Sequence, residues 1–425
     1  MNAGFLLVGV LLVLITTGVP IAFTILGATL ITQFFQGMDM QIFVQRLYGS
    51  NDSFALLAIP FFFIAGELML QGGISRRIIN FTQSLFGWIR GSLAIISFVA
   101  CAFFGAISGS AFATTAAIGG LMFPEMIEDG YEEGFATVIQ AVGGTLGTLI
   151  PPSICCVVYA VLVQVSAGDM FKYIAPVGIL ATLFYTATAL IMMRRDPTLY
   201  RPGKKAARKV VSGSELWLSF KDAVWALLSP VIILGGIYAG IFTPTESAII
   251  ATVYALIVGF GVYRELTFRI MCRAMLNATL GSAAVMFIID AAAPFSWMLT
   301  VNQIPQTLAS FATEFIHSPY MLLLIINVLF LIGGMFMETN SMMMIMIPLM
   351  LPMVKAFDIN LIHLGVVTVL NMTIGCITPP FGASIFVASG VTKTPISLAF
   401  RRVMPFIISA LALLALITYV PLLWL

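Results

Sequence analysis

Runs of about 20 apolar residues recur along the whole chain, and nothing between them is long and polar enough for a soluble domain. A helix needs roughly 20 such residues to cross a bilayer. The stretch "GFLLVGVLLVLITTGVPIAFTILGATLI" (residues 4–31) does not alternate apolar with polar side chains, as the strands of a membrane barrel must. With 60% hydrophobic and 9% charged residues, the chain reads as an all-α polytopic membrane protein rather than a soluble enzyme or binding module. Its apolar N-terminus has no basic lead and no small-residue cleavage pattern, so it is taken as the first helix.

Few residues offer reactive chemistry. Cys101, Cys155, Cys156, Cys272 and Cys376 lie in or beside apolar runs without metal-ligand spacing, and read as small buried side chains. His317 and His363 are far apart near span ends and receive no role. No P-loop and no H-E-x-x-H motif occurs, which disfavours direct ATP coupling and intramembrane hydrolysis. The one long polar stretch, residues 194–221, gathers Arg194, Arg195, Arg201, Lys204, Lys205, Arg208, Lys209 and Lys221. By the positive-inside rule it is a cytoplasmic loop, and no nucleic-acid role is expected of it.

That loop divides a duplication. "GTLIPPS" at Gly147 is answered by "GCITPPF" at Gly375, an offset of 228 residues, and at the same offset Thr145 meets Thr373, Gly105 meets Gly333 and "LMFP" (121–124) meets "LMLP" (349–352). The repeats are 1–193 and 222–425; an odd number of crossings in each would make them inverted, as in many secondary transporters. Each repeat holds two breaks. The first is a re-entrant hairpin, about 104–126 with a Gly105–Ser110 kink and about 333–353 with its kink at Glu338–Ser341, whose arms read as too short to span alone. The second is a Pro-Pro-broken helix, about 135–165 and about 361–390.

Broken backbone survives in a membrane only where protein or a hydrated site satisfies it. Proline has no N–H, so the carbonyls of Leu146 to Ile150 and of Met372 to Thr378 are expected to lose their partners and become available to a cation. Serine and threonine hydroxyls would complete a hard oxygen cage, and the helix N-termini would attract carboxylates. The competing account is close helix packing with tolerated kinks, but packing does not require the same break twice. Among acids inside apolar runs, Glu338 reads as functional, Asp290 as a candidate for a substrate or ion site, Glu246 equally as a helix cap, and Glu67 as structural. The charges of "EMIEDGYEE" (125–133) and around Arg264 to Arg273 read as solvated connections. A channel or passive pore, or the membrane subunit of another transporter class, is the alternative reading.

The segments "IPFFFIAGELM" (59–69), "GAISGSAFAT" (105–114), "GTLIPPS" (147–153), "GIFTPTESA" (240–248), "IPQTLA" (304–309), "GMFMETNS" (334–341) and "NMTIGCITPPFG" (371–382) appear in this order. Together they closely resemble the large membrane subunit of tripartite ATP-independent periplasmic (TRAP) transporters, over essentially the whole chain. The resemblance implies an ion-transporter-superfamily elevator in the bacterial inner membrane that imports sialic acid, other sugar acids or C4-dicarboxylates with Na⁺. It also implies a separate small four-helix membrane subunit and a periplasmic substrate-binding protein as partners. Carried over, one Na⁺ site is expected at Ser108 and Ser110 facing Gly147 and Ile150, and a second at Gly333 and Met337 facing Thr373, Gly375 and Thr378. Substrate is expected between the hairpin tips, near Ser110, Ser153, Glu338 and Asn340. One departure matters: residues 278–300 hold no basic side chain and carry Asp290 instead, so anion binding falls to helix N-termini and Na⁺ charge.

Overall fold

The computed structural model describes residues 3–50, 52–89, 91–202 and 213–420. Lys204, Lys205, Arg208 and Lys209 of the basic stretch lie outside the described residues. In chain order the helices begin with α1 (Ala3–Thr16), α2 (Ile21–Phe35), α3 (Met40–Gly49), α4 (Ala58–Gln71, preceded by a 3₁₀ turn at Phe54–Leu57) and α5 (Ile74–Phe86). The hairpin α6 (Ser92–Ser108) and α7 (Ala111–Asp129) follows, then α8 (Glu133–Leu149), α9 (Ile154–Val163) and α10 (Ala167–Arg195). Beyond the basic stretch come α11 (Gly213–Tyr238), α12 (Pro244–Ile257), α13 (Phe268–Val301) and α14 (Ile304–Phe315). The second hairpin is α15 (Pro319–Phe336) and α16 (Thr339–Ala356), followed by α17 (Leu361–Gly375), α18 (Ala383–Thr392) and α19 (Ile396–Tyr419). Among the described residues, eight helices are long and apolar enough to cross a membrane, or nine if the bent pair α8–α9 counts as one span.

Adding 228 to the bounds of α6, α7, α8, α9 and α10 reaches α15, α16, α17, α18 and α19 to within a few residues. The hairpin arms are longer than the sequence suggests. α6 begins at Ser92 rather than near Phe104, because the apolar run before the kink continues one helix without interruption. α15 and α16 have 18 residues each, about 27 Å of helix, so neither arm of that hairpin is too short to span alone. The tips are sharp: Gly109 ends α6 at φ 62°, a left-handed conformation that favours glycine. Both Pro-Pro bonds, Pro151–Pro152 and Pro379–Pro380, are cis.

Each hairpin crosses its broken helix at a glycine. A Cβ on Gly105 would lie 2.8 Å from the Cα of Gly147, and one on Gly375 would lie 2.6 Å from the carbonyl carbon of Gly334. Lipid supplies no hydrophobic drive for helices to associate, so close backbone approach of this kind carries the packing. α6 and α7 both lie along α8. In the second half α15 lies along α17, but α16 leans on α14 and α13 and barely meets α17. α4 packs against both α12 and α13, and α1 and α2 bury Leu7, Ile25 and Ala28 with Phe295 and Met298 of α13.

Both charged connections are tied down at one residue, Glu265 in one and Glu132 in the other. Arg77 of α5 pairs with Asp222 at 3.2 Å and Glu265 at 2.6 Å, and its guanidinium lies 3.7 Å above the Tyr263 ring. Arg402 of α19 reaches Glu132 at 3.5 Å and Asp196 at 3.3 Å. Partly exposed pairs contribute ~0–1 kcal/mol each, so their role is to fix where helix ends meet. The glycine crossing is a stronger constraint. Gly375→Ala is expected to lower stability by roughly 1–3 kcal/mol through overpacking against backbone, read as a fall in thermal unfolding midpoint in detergent; an unchanged midpoint would mean that the helices separate freely at that point.

Candidate functional site

Site geometry starts from how the breaks satisfy their backbone. At the first tip, the Gly109 carbonyl accepts from the Ile154 amide at 3.3 Å, so hairpin and broken helix close each other's loose ends. Three oxygens gather there: Ser108 Oγ lies 2.9 Å from Thr114 Oγ1, Thr114 Oγ1 donates to the Ser110 carbonyl at 2.8 Å, and Ser108 Oγ lies 3.4 Å from that carbonyl. Ser110 Oγ accepts from the Ala113 amide at 3.4 Å as the cap of α7. Gly147 backs this cluster, since a Cβ there would lie 2.5 Å from the Ser110 carbonyl. Ile150, expected beside the cluster, has its side chain against Gly178 of α10.

At the second tip the acid caps a helix. Glu338 accepts from the Ser341 amide at 3.1 Å and from Asn340 Nδ2 at 2.8 Å, and its carboxylate thereby sits on the N-terminus of α16. Thr339 Oγ1 lies 3.5 Å from Cys376 Sγ. Met337 ends α15 with its amide on the Gly333 carbonyl, and the Met342 side chain covers Gly333. Thr373 Oγ1 donates to the Val369 carbonyl at 2.6 Å and lies 3.2 Å from Thr148 Oγ1, joining the two broken helices across the repeats. Thr378 Oγ1 donates to the Ile374 carbonyl at 2.7 Å.

The breaks free fewer carbonyls than the prolines suggest. Leu146 O accepts from Ile150 N, Met372 O from Cys376 N, Gly375 O from Thr378 N and Cys376 O from Ser384 N. Short i→i+3 turns and amides from beyond the break replace the missing donors.

Between the tips lies a cavity of about 330 Å³. Ser110, Glu338 and Asn340 line it, with the first turn of α7, Thr148, and the starts of α9 and α16. Its outer wall is Phe63 of α4 with Gly281, Ala284, Val285 and Ile288 of α13. No Lys, Arg or His is among its lining residues. Ser153 is fully buried, with an Oγ that has no partner among the described residues, and lies next to rather than on the wall. Asp290 is away from the cavity: its Oδ1 accepts from Ser50 Oγ at 2.6 Å, tying α13 to the end of α3. Glu246 and Thr243 form a reciprocal capping box at the start of α12. The apolar α13 wall carried no sequence signal, while Thr148, Cys155 and Cys376, also on the wall, had one in their adjacency to Pro-Pro.

Two hairpin tips and two broken helices around one cavity are a transporter's arrangement. The family model for the DctM component of tripartite ATP-independent periplasmic transporters matches residues 8–423. The chain belongs to this family. It is a permease subunit, not an enzyme. It is 41% identical to the C4-dicarboxylate TRAP transporter large permease protein DctM of Pseudomonas aeruginosa, over 88% of this chain and 86% of that protein. It is 39% identical to the isethionate TRAP transporter permease protein DctMQ of Oleidesulfovibrio alaskensis, over 98% of this chain and 65% of that longer protein. The YdaH transporter of Alcanivorax borkumensis shares the fold, with a TM-score of 0.66 at 14% identity over 90% of this chain and 88% of that one. As a large TRAP permease the chain brings both hairpin tips to one cavity, with Glu338 capping a helix at its wall. Glu338→Ala should cost about 1 kcal/mol at the start of α16 and speed hydrogen exchange at the Ser341 amide, with Glu338→Gln doing less; equal protection in all three proteins would rule out the cap.

Proposed function

We propose that the chain is the cargo-moving subunit of a Na⁺-coupled, binding-protein-dependent importer of an organic acid in the bacterial inner membrane. The observation that carries this reading is the cavity bounded by both hairpin tips. Cargo held there touches α7, α9 and α16 together, so displacement of the two hairpins and their broken helices as a unit moves cargo without dismantling its site. α4 and α13 close the cavity from outside that unit, and serve as the surface along which it slides in an elevator motion. The repeats are inverted in this reading, and the basic stretch between α10 and α11 faces the cytoplasm.

Sodium ions are the coupling cargo. Ser108 Oγ, the Ser110 carbonyl and Thr114 Oγ1 form an oxygen-only cluster of the kind a hard cation takes. Thr373, Gly375 and Thr378, with Gly333 and Met337 across from them, supply the second group. Positive charge at both places offsets the cargo's carboxylate in a cavity whose walls offer no cationic side chain. A substrate-binding protein delivers the acid from the periplasm, and a separate small four-helix subunit completes the membrane assembly. The cargo in this reading is sialic acid, another sugar acid or a C4-dicarboxylate.

The test is uptake into proteoliposomes holding the chain, its small membrane partner and the binding protein, with and without an inward Na⁺ gradient. Gradient-dependent accumulation is expected, and uptake indifferent to Na⁺ would overturn the coupling. Ser108→Ala should raise the Na⁺ concentration for half-maximal uptake about fivefold, the equivalent of ~1 kcal/mol for one lost oxygen ligand. An unchanged Na⁺ dependence removes Ser108 from the site.

A further inference from the structure

The cavity is polarised in a way that its overall polarity conceals. At the α16 tip, Glu338 and Asn340 present acceptors beside the Thr339 hydroxyl, which lies 3.5 Å from Cys376 Sγ. Both carboxyl oxygens of Glu338 are engaged by Asn340 and Ser341. Asn340 is 5% exposed and spends its amide nitrogen on Glu338, while its Oδ1 has no hydrogen-bond partner among the described residues. A buried acceptor without a donor retains its full desolvation cost, and a cavity-lining position lets a ligand relieve it.

The opposite tip has the other sign. The 19-residue helix α7 starts there, and Ala111, Phe112 and Ala113 line the cavity. Its cap is long, 3.4 Å from Ser110 Oγ to the Ala113 amide, and helix N-termini favour anions. The N-terminus of α16 is different, because the Glu338 side chain already caps it. An incoming carboxylate at that end would meet Glu338 with no Lys, Arg or His on the cavity wall to separate them.

We propose that the cargo is a hydroxylated organic acid bound in one orientation, its carboxylate at the first turn of α7 and a hydroxyl donating to Asn340 Oδ1. Asn340 is then the residue that selects the hydroxyl, held in place by its own donation to Glu338. This inference rests on the transporter reading and adds the direction of the cargo within the site.

Binding is best measured on the full chain in lipid nanodiscs at saturating Na⁺, without the binding protein, so that only this cavity discriminates. The probes are pairs differing by a hydroxyl: malate against succinate, and lactate against propionate. At least one hydroxylated member should bind about tenfold more tightly than its mate, as one satisfied hydrogen bond allows. Asn340→Ala should erase the difference, and Asn340→Asp, which retains an acceptor, should retain part of it. Equal binding within both pairs, a preference that survives Asn340→Ala, or no binding of any of the four acids would overturn the proposal. Na⁺-driven uptake by the complete assembly separates the two readings: if it persists while discrimination fails, only this inference falls, and if it is absent for every acid tried, the transport reading falls with it.

Discussion

The hydrogen bond from the Ile154 amide to the Gly109 carbonyl is the contact on which the centre of the molecule depends. A helix interrupted in lipid leaves amides and carbonyls that nothing outside can satisfy. Here the interruption in one element is closed by the interruption in another, so hairpin tip and broken helix satisfy each other. Everything nearby follows from keeping them in register. The glycine crossings bring the backbones close enough, the serine and threonine hydroxyls take up remaining valences, and the space left between the tips becomes the cavity.

Much of this was legible in the sequence because each break leaves a mark that apolar helices otherwise lack. Glycine, serine and proline clusters at a shared offset located both hairpin tips and both Pro-Pro breaks, and three of the five residues singled out for substrate line the cavity: Ser110, Glu338 and Asn340. The remaining two illustrate what residue type leaves undecided. Asp290 stands alone in an apolar run, yet its partner Ser50 lies 240 positions away on the end of α3, a pairing that depends on which face of α13 meets α3. Ser153 borders a break but is turned into protein. The cavity's outer wall on α13 was invisible because Gly281, Ala284 and Val285 are what any tightly packed membrane helix contains.

Freed carbonyls were the other over-reading. Proline removes a donor, but the chain after the break folds back to supply new ones, as Ser384 does for Cys376. The two relatives described carry cargoes as different as C4-dicarboxylates and isethionate at nearly equal identity to this chain. Overall similarity therefore fixes the architecture and does not name the cargo.

The hydrogen bond between Thr148 and Thr373 breaks the symmetry of the duplication. Position 373 is the mate of 145, and position 148 is the mate of 376, so a perfectly symmetric pair of repeats would form this contact twice, the second time between 145 and 376. In this chain Thr145 bonds back to the Val142 carbonyl, and Cys376 turns to Thr339 at the cavity wall. One copy of the joint fastens the halves to each other. At the other copy the two positions bond elsewhere, so Cys376 puts its thiol on the cavity wall instead of across the seam between the halves.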